Sequence, residues 1–506
     1  MAQTKKSNDS NTETFFLWAD SFHEGEWACR AIAGQIEELG GTYSVEYLQG
    51  FIPWFVFNLS GISFEVTVYG NYASWDPIPK ALAELLAWGK PDLVLINERS
   101  GQILLAVEET AATPTGNQAL QRCERQFGAA REGIPFWYLI SEFGVHSDGG
   151  VRRDSIWPTL MGLELMAATK VPSIVLHYSD ASNPEDYSSG SGVGSLFKVL
   201  AQVLVNTTKE VDPLYGLAEE IEHQVQEMLD FVSDSWSNSL YLISDLSKLD
   251  VKAHAVELCS KTSKRISGTK NNHKNFLKWP LARELSNVQK SEQQSRSLIK
   301  FDPLAVLLER DVANGQAYGI IKGSGSKPQQ RSSLIAWINS QNSNHKAWKK
   351  SSKNADKNFS LEIDSFPVSP SGAHHVITAP RILYLYDSTN IAQDAIMKAF
   401  PRLKGCDLFD ESDFDLPALV YISNSVKPGR IFGDPYTGQL SAYSVSFGAL
   451  SGSRKVIAYF PHQSIAQAAK YLSEPNNKGL RIMAELTDLL IFGGGIAINT
   501  KTLELI

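Results

Sequence analysis

Two apolar runs, Pro91 to Asn97 (PDLVLIN) and Gln102 to Val107 (QILLAV), are separated only by Glu98-Arg99-Ser100-Gly101. Apolar side chains fill both runs instead of alternating with polar ones, the pattern of strands covered on both faces. A short turn ending in glycine makes them an antiparallel hairpin. A doubly covered hairpin belongs inside an α/β sheet, and the surrounding segments supply the rest of one.

Glu24 to Leu39 carries Trp27, Ala31, Ile32 and Ile36 at helical spacing and stops at Gly40-Gly41. Phe51 to Leu59 and Ile62 to Tyr69 are aromatic and β-branched, and Ser60-Gly61 between them predicts a hairpin. A short helix is expected over Pro79 to Trp88, a longer one over Asn117 to Arg131 and a third over Ile156 to Ala168, with strands at Pro135 to Ser141 and Val171 to Tyr178. The order predicts an α/β fold with a sheet of mixed direction.

Beyond the flexible break Ser188 to Gly194, helices are expected at Leu214 to Phe231 and Ser237 to Leu249. A further α/β region begins near His374, with strands at Arg381 to Tyr386 and Ala418 to Ser423 and helices at Ile391 to Phe400, Ser464 to Leu472 and Gly479 to Leu490. The expected division is a disordered leader over 1–14, an α/β core over 15–187, a helical connection over 188–260, a basic region or linker over 261–360 and a C-terminal α/β domain over 374–506. At roughly 150 residues per domain, 506 residues suit about three domains.

Composition excludes some classes. With 43% apolar and 20% charged residues the chain is neither mostly disordered nor fibrous. Its apolar runs fall far short of the roughly 20 residues of a bilayer span, so no membrane partner is expected. The polar start MAQTKKSNDSNTET does not read as a secretory signal, which predicts a cytoplasmic protein. Cys29, Cys123, Cys259 and Cys406 lack the spacing of a zinc site or a disulfide framework. GxxxxGK[ST] and GxSxG are absent, Gly493-Gly494-Gly495 lacks dinucleotide-binding spacing, and His374-His375 has no nearby acid or cysteine.

Net charge is −8, yet Lys261 to Lys357 holds 19 Lys and Arg against 6 Asp and Glu. Such a surface suits phosphate neutralisation, or a solvated linker. Lys346, Lys349, Lys350 and Lys353 lie there beside Trp348, with Trp337 upstream, mixing cations with rings that can stack on a base. Arg430 to Gln439 (RIFGDPYTGQ) reads as a tight turn that could present Arg430, Tyr436 and Gln439 to base edges.

The hairpin itself carries the chemistry. Asp92 opens the first strand, and Glu108-Glu109-Thr110 closes the second, 16 positions on. Asp92, Glu108 and the carbonyl of Glu109 would form a hard oxygen set suited to Mg²⁺, with Mn²⁺ as a substitute. Such an ion activates water and steadies charge at phosphorus. Glu24, Glu26 and Glu65 are weaker candidates for a further ligand.

PDLVLIN followed by ILLAVEET, with a helix before and a helix and strand after, resembles the core of the PD-(D/E)XK nucleases over roughly residues 20–180. The resemblance implies that Asp92 and Glu108 match the acidic positions, while Thr110 stands where the family has its lysine. Lys90 could replace that lysine, as could Gln118, Gln121, Arg122 or Arg125, which fall on one stripe of the next helix. Arg125 is also a candidate phosphate contact.

The expectation is a Mg²⁺-dependent DNA endonuclease of restriction type, acting on double-stranded DNA as a homodimer. Its alternatives are an inactive nuclease-like DNA- or RNA-binding defence protein, and a nuclease effector whose C-terminal region senses a signal.

Overall fold

The computed structural model describes residues 12–110, 117–141, 155–178, 193–235, 248–260, 302–320, 381–423, 430–472 and 477–506. The chain divides into two compact units, residues 1–267 with 441–446, and 268–440 with 447–506. The fold is mixed α/β, with one mixed sheet of eight strands and one of six among the described residues.

In the first unit, β1 (Glu13–Ala19) leads into α1 (Phe22–Glu38), then β2 (Thr42–Leu48), β3 (Ile52–Leu59) and β4 (Ile62–Gly70). After α2 (Lys80–Leu86) come β5 (Leu93–Asn97), β6 (Ile103–Thr110), α3 (Asn117–Gln121), α4 (Cys123–Glu132), β7 (Phe136–Ser141), α5 (Trp157–Thr169) and β8 (Ser173–Tyr178). Three helices follow: α6 (Val193–Thr208), α7 (Ala218–Ser235) and α8 (Val251–Leu258). The strand order is β2-β3-β4-β1-β5-β6-β7-β8.

The expected hairpins form: β3 with β4, and β5 with β6, are antiparallel. All five residues of β5 and nearly all of β6 are buried, as two-sided apolar runs require. Two strands of this sheet, β1 and β2, are absent from the sequence expectations. The first two residues of β1, Glu13 and Thr14, fall in the expected leader, yet the strand lies inside the sheet, parallel to β4 and antiparallel to β5. Its partners stand some fifty and eighty positions away, so no local signal announces them.

The start of α1 is set by an N-cap: Ser21 Oγ accepts from Glu24 N at 3.2 Å. The helix then presses on the sheet at Gly25, where a Cβ would meet Val68 Cγ1 at 2.5 Å. The helix expected over Asn117 to Arg131 is interrupted at Arg122, which forms the N-cap of α4 without a side-chain cap bond. The helix expected from Leu214 starts at Ala218. The one expected over Ser237 to Leu249 lies almost wholly outside the described residues.

In the second unit the order is α9 (Pro303–Ala313), β9 (Ala317–Ile320), β10 (Leu383–Tyr386), α10 (Thr389–Ala399), β11 (Ala418–Ile422), α11 (Asp434–Ser446, of which 441–446 count with the first unit), β12 (Lys455–Phe460), α12 (Ile465–Leu472), α13 (Lys478–Leu486), β13 (Leu489–Phe492) and β14 (Ile496–Asn499). The sheet runs β14-β13-β12-β11-β10-β9, parallel only along β11-β12-β13. Four differences from the sequence reading stand out. The basic stretch contains α9 and β9, opened by Asp302 accepting from Leu304 N and Ala305 N at 3.1 and 3.3 Å. Arg430 to Gln439 is not a hairpin turn but a 3-10 turn running into α11. The helix expected through Leu490 ends at Leu486, and the following LLIF is β13. Gly493 to Gly495 turns β13 into β14, with Gly494 and Gly495 at φ +84° and +77°.

Among the described residues no helix is long and apolar enough to cross a membrane. All four cysteines are free.

Candidate active site

Strand register brings the hairpin acids together. Leu93 pairs with Val107 and Val94 with Ala106, so one step on Asp92 stands opposite Glu108. On the other side of β5, Asp20 N donates to Asp92 O at 3.0 Å, and across β6 Glu108 pairs with Tyr138. Side chains opposite each other in a ladder share a face, so Asp92, Glu108 and Tyr138 project together. Thr110, two residues on, shares that face, whereas Glu109 projects from the other and accepts from Tyr178 OH at 2.7 Å.

Asp92 is a quarter exposed and Glu108 fully buried. Asp92 Oδ2 accepts from Glu109 N at 2.6 Å. Glu108 Oε1 accepts from Arg125 Nη1 and lies 3.1 Å from Arg122 Nη1. Arg125 Nη1 stands 4.0 Å from Asp92 Oδ1, bridging the two acids. Glu108 Oε2 is buried and finds no hydrogen-bond partner among the described residues, nor does Arg125 Nε. An unpaired oxygen of a buried carboxylate is costly to leave unmatched.

Burial dominates the electrostatics. Desolvation pushes Asp92 up to about 6, against the amide of Glu109 and the two arginines. Desolvation, with Asp92 alongside, pushes Glu108 up to about 8, against Arg125 and Arg122. The same acids hold the Arg125 guanidinium above its ordinary range, overcoming its own burial. Two carboxylates thus compete for positive charge in a partly dry place.

The α3–α4 region delivers that charge through arginines. Arg122 and Arg125 are three apart, and the stem of Arg125 passes where Gly89 leaves room, since a Cβ there would meet Arg125 Cγ at 2.6 Å. α4 is seated by Gly128 against Trp88, whose Nε1 donates to Glu132 at 2.9 Å.

Of the residues expected to replace the lysine, Arg122 and Arg125 reach the acids. Gln121 is half-buried and makes no hydrogen bond to either carboxylate, and the side chain of Gln118 lies outside the described residues. Lys90 is exposed and precedes the strand, which starts at Leu93, and no ion pair joins it to Asp92 or Glu108. Thr110 is engaged. Tyr138 OH donates to Ala119 O at 2.8 Å, so the Thr110 hydroxyl, 3.0 Å away, donates to Tyr138 and accepts from Arg122 at 3.2 Å.

The expected oxygen set is also reduced. The Glu109 carbonyl accepts from Arg122 Nη1, and the Glu109 carboxylate is on the opposite face. Glu24 is exposed at the start of α1, close enough to Asp92 to raise its pKa. Glu26 pairs with Arg30 and accepts from Tyr47, both at 2.7 Å. Glu65 accepts from Trp54 Nε1 at 3.2 Å, and its partner on β1 is Thr14, at the far end from Asp20. Among the described residues no three His, Cys, Asp or Glu side chains gather as a metal site. The donor set for a cation is Asp92 Oδ1 and Glu108 Oε2, the oxygens the protein leaves least satisfied. A metal such as Mg²⁺, which keeps several waters, fits a two-carboxylate set.

Among the described residues the second unit's candidates do not gather into a site. Gln439 is 2% exposed and lies 3.3 Å from Tyr421 OH, so it cannot meet a base edge. Tyr436 is half-buried on the first turn of α11, and the side chain of Arg430 is outside the described residues, as are Lys346, Lys349, Lys350 and Lys353.

What the sequence reading undervalued is the arginine pair. Its signal was present in the three-residue spacing of Arg122 and Arg125 directly after the hairpin. No family model, no curated protein and no solved structure matches this chain.

Proposed function

We propose that Asp92 and Glu108 form the metal site of a Mg²⁺-dependent DNA endonuclease, with Mn²⁺ able to substitute. One observation carries the reading: two carboxylates in register on adjacent strands, both raised in pKa, with a buried oxygen of Glu108 unsatisfied. When bound, the metal supplies an activated water and a counter-charge for the phosphate.

The chain's own residues do the rest. Asp92 and Glu108 hold the cation. Arg122 and Arg125 are planar donors suited to a phosphate, and they would exchange carboxylate for phosphate oxygens as the substrate enters. Thr110, bound to Tyr138 and Arg122, orients Arg122 and leaves the lysine's task to the arginines. Double-stranded DNA as substrate, a homodimer that cuts both strands and a cytoplasmic, restriction-type defensive role belong to the same reading. The second unit would then recognise the DNA or sense a signal.

A second reading has its own support. Arg125 bridges the carboxylates that a metal would bridge, and no lysine stands at Thr110, the pattern of a nuclease-like protein that binds DNA without cutting it. Incubating long DNA with Mg²⁺, Mn²⁺ or chelator separates the two. Discrete metal-dependent fragments support the endonuclease, a smear supports the signal-activated effector, and binding without cleavage supports the inactive protein.

A further inference from the structure

Beside the acids, on the same face of the sheet, lies an aromatic cluster that the metal site does not use. Trp18 pairs with Val94, so it shares a face with Asp92 and stands one same-face step from it, about 7 Å along the strand. Tyr69 pairs with Trp18 across β1 and β4, and their rings stack at 4.8 Å and 21°. Tyr72 lies parallel to Trp18 at 6.4 Å, and its hydroxyl donates to Pro91 O at 2.7 Å, next to Asp92. Asp92, Asp20 and Glu108 all act on the Tyr72 hydroxyl, which marks it as their neighbour.

Trp75 is more exposed than Trp18, Tyr69 or Tyr72. It meets Tyr69 edge-on at 4.9 Å, Trp18 at 6.2 Å and Phe22 at 6.4 Å. Its Nε1 donates to Gly70 O at 2.8 Å, which sets the plane of the indole. Trp18, Tyr69 and Tyr72 are buried, while Trp75 and Phe22 remain half-buried. Trp18 Nε1 is buried and has no partner among the described residues, so the cluster carries a polar cost that a simple core would avoid.

We propose that Trp75, braced by Trp18, Tyr69 and Phe22, is the stacking surface for an unpaired base next to the scissile phosphate. The proposal rests on the phosphodiesterase reading of Asp92 and Glu108. A flat ring packed on Trp18, which stands one same-face step from Asp92, fits a nucleotide: phosphate toward the arginines, base toward the indole. Inside a duplex both faces of a base are covered by its neighbours, so only a single-stranded or extruded base can lie on Trp75. The substrate class is therefore DNA whose nucleotide at the cut is already unstacked before it binds, a single-stranded stretch within or beside a duplex.

The test uses the full chain and fluorescein-labelled oligonucleotides in chelator, read by anisotropy. Trp75→Leu should weaken single-strand binding about tenfold or more, a typical loss for one base–aromatic stack, with duplex binding changed less than twofold. Trp75→Phe should stay within a few-fold of wild type and keep its urea midpoint, which covers the case that Trp75→Leu fails to fold. Single strands carrying one abasic position, moved along the sequence, should at one register bind wild type and Trp75→Phe equally weakly. Unchanged single-strand binding in Trp75→Leu, or equal loss on single strand and duplex, would overturn the stacking role. If Asp92→Ala abolishes cleavage while Trp75→Leu binds normally, only the stacking role falls. If Trp75→Leu loses single-strand binding while Asp92→Ala cleaves normally, the stacking role stands and the metal-site reading falls. Wild-type protein that binds neither oligonucleotide overturns both.

Discussion

Buried carboxylates occur in both units, and the contrast between them shows what separates the proposed reactive site from a structural cluster. In the second unit α9 turns Glu309, Asp311 and Asp302 toward the sheet, where Tyr384, Tyr386 and Tyr459 donate to them at 2.6, 3.0 and 2.8 Å. Arg381 joins Glu309, and neither is exposed. Each acid there has its own tyrosine, and none of the three tyrosines is open to solvent. In the first unit Asp92 and Glu108 share Arg125, Arg122 stands beside Glu108, and Asp92 opens to solvent. Asp302 also keeps one unmatched oxygen, so an orphan atom alone does not make a site. The difference is a second carboxylate opposite the first, at a place that a ligand can enter.

The largest expected effect strikes the first unit. Asp92→Ala or Glu108→Ala should lower cleavage at least about a thousandfold, some 4 kcal/mol of barrier, while DNA binding stays within a few-fold. Full activity in both variants would erase the distinction between the regions.

Glu309→Ala strikes the other side. Removing one member of a buried ion pair should cost about 3–5 kcal/mol of stability, read as a lowered urea midpoint for the second unit. A loss below about 1 kcal/mol would show that this pair is not the structural element it looks like.

Burial pushes Asp302 up to about 6, so the folded state holds its proton more tightly than the unfolded chain. The stability this contributes is present below about pH 4 and lost as pH rises through about 6. Asp302→Asn keeps the helix cap and should flatten that slope, by about 3 kcal/mol at most. An unchanged pH profile would place the titration elsewhere.

Smallest is Tyr384→Phe, which removes one neutral donor to Glu309 and should cost about 1–3 kcal/mol, without changing cleavage by the folded protein. A change in cleavage would mean that the tyrosine array is part of the chemistry.

Legibility followed the range of the interactions. PDLVLIN and ILLAVEET read as buried strands because their signal is local, and Asp92 and Glu108 could be named because a short turn folds one strand back on the other. β1 escaped because an apolar run after a polar leader has no alternation and finds its partners far along the chain. α9 was obscured by averaging charge over its basic neighbours, although Asp302-Pro303 ahead of LAVLL is a recognisable helix start. Gln118, Gln121, Arg122 and Arg125 fall on one helical stripe, so spacing does not choose between the glutamines and the arginines. Spacing cannot show that α3 stops at Gln121, or that Arg122 and Arg125 are the side chains that reach Glu108.

By itself the sequence determined the mixed α/β class, the central hairpin and the pair of acids, because apolar runs, a glycine turn and residue order act over a few positions. Only the tertiary structure decided that β1 lies beside β5, that Thr110 is bound to Tyr138, and that the aromatic cluster flanks the acids. Each of these depends on strands distant in sequence meeting in one register, where a shift of one residue would turn every side chain to the other face.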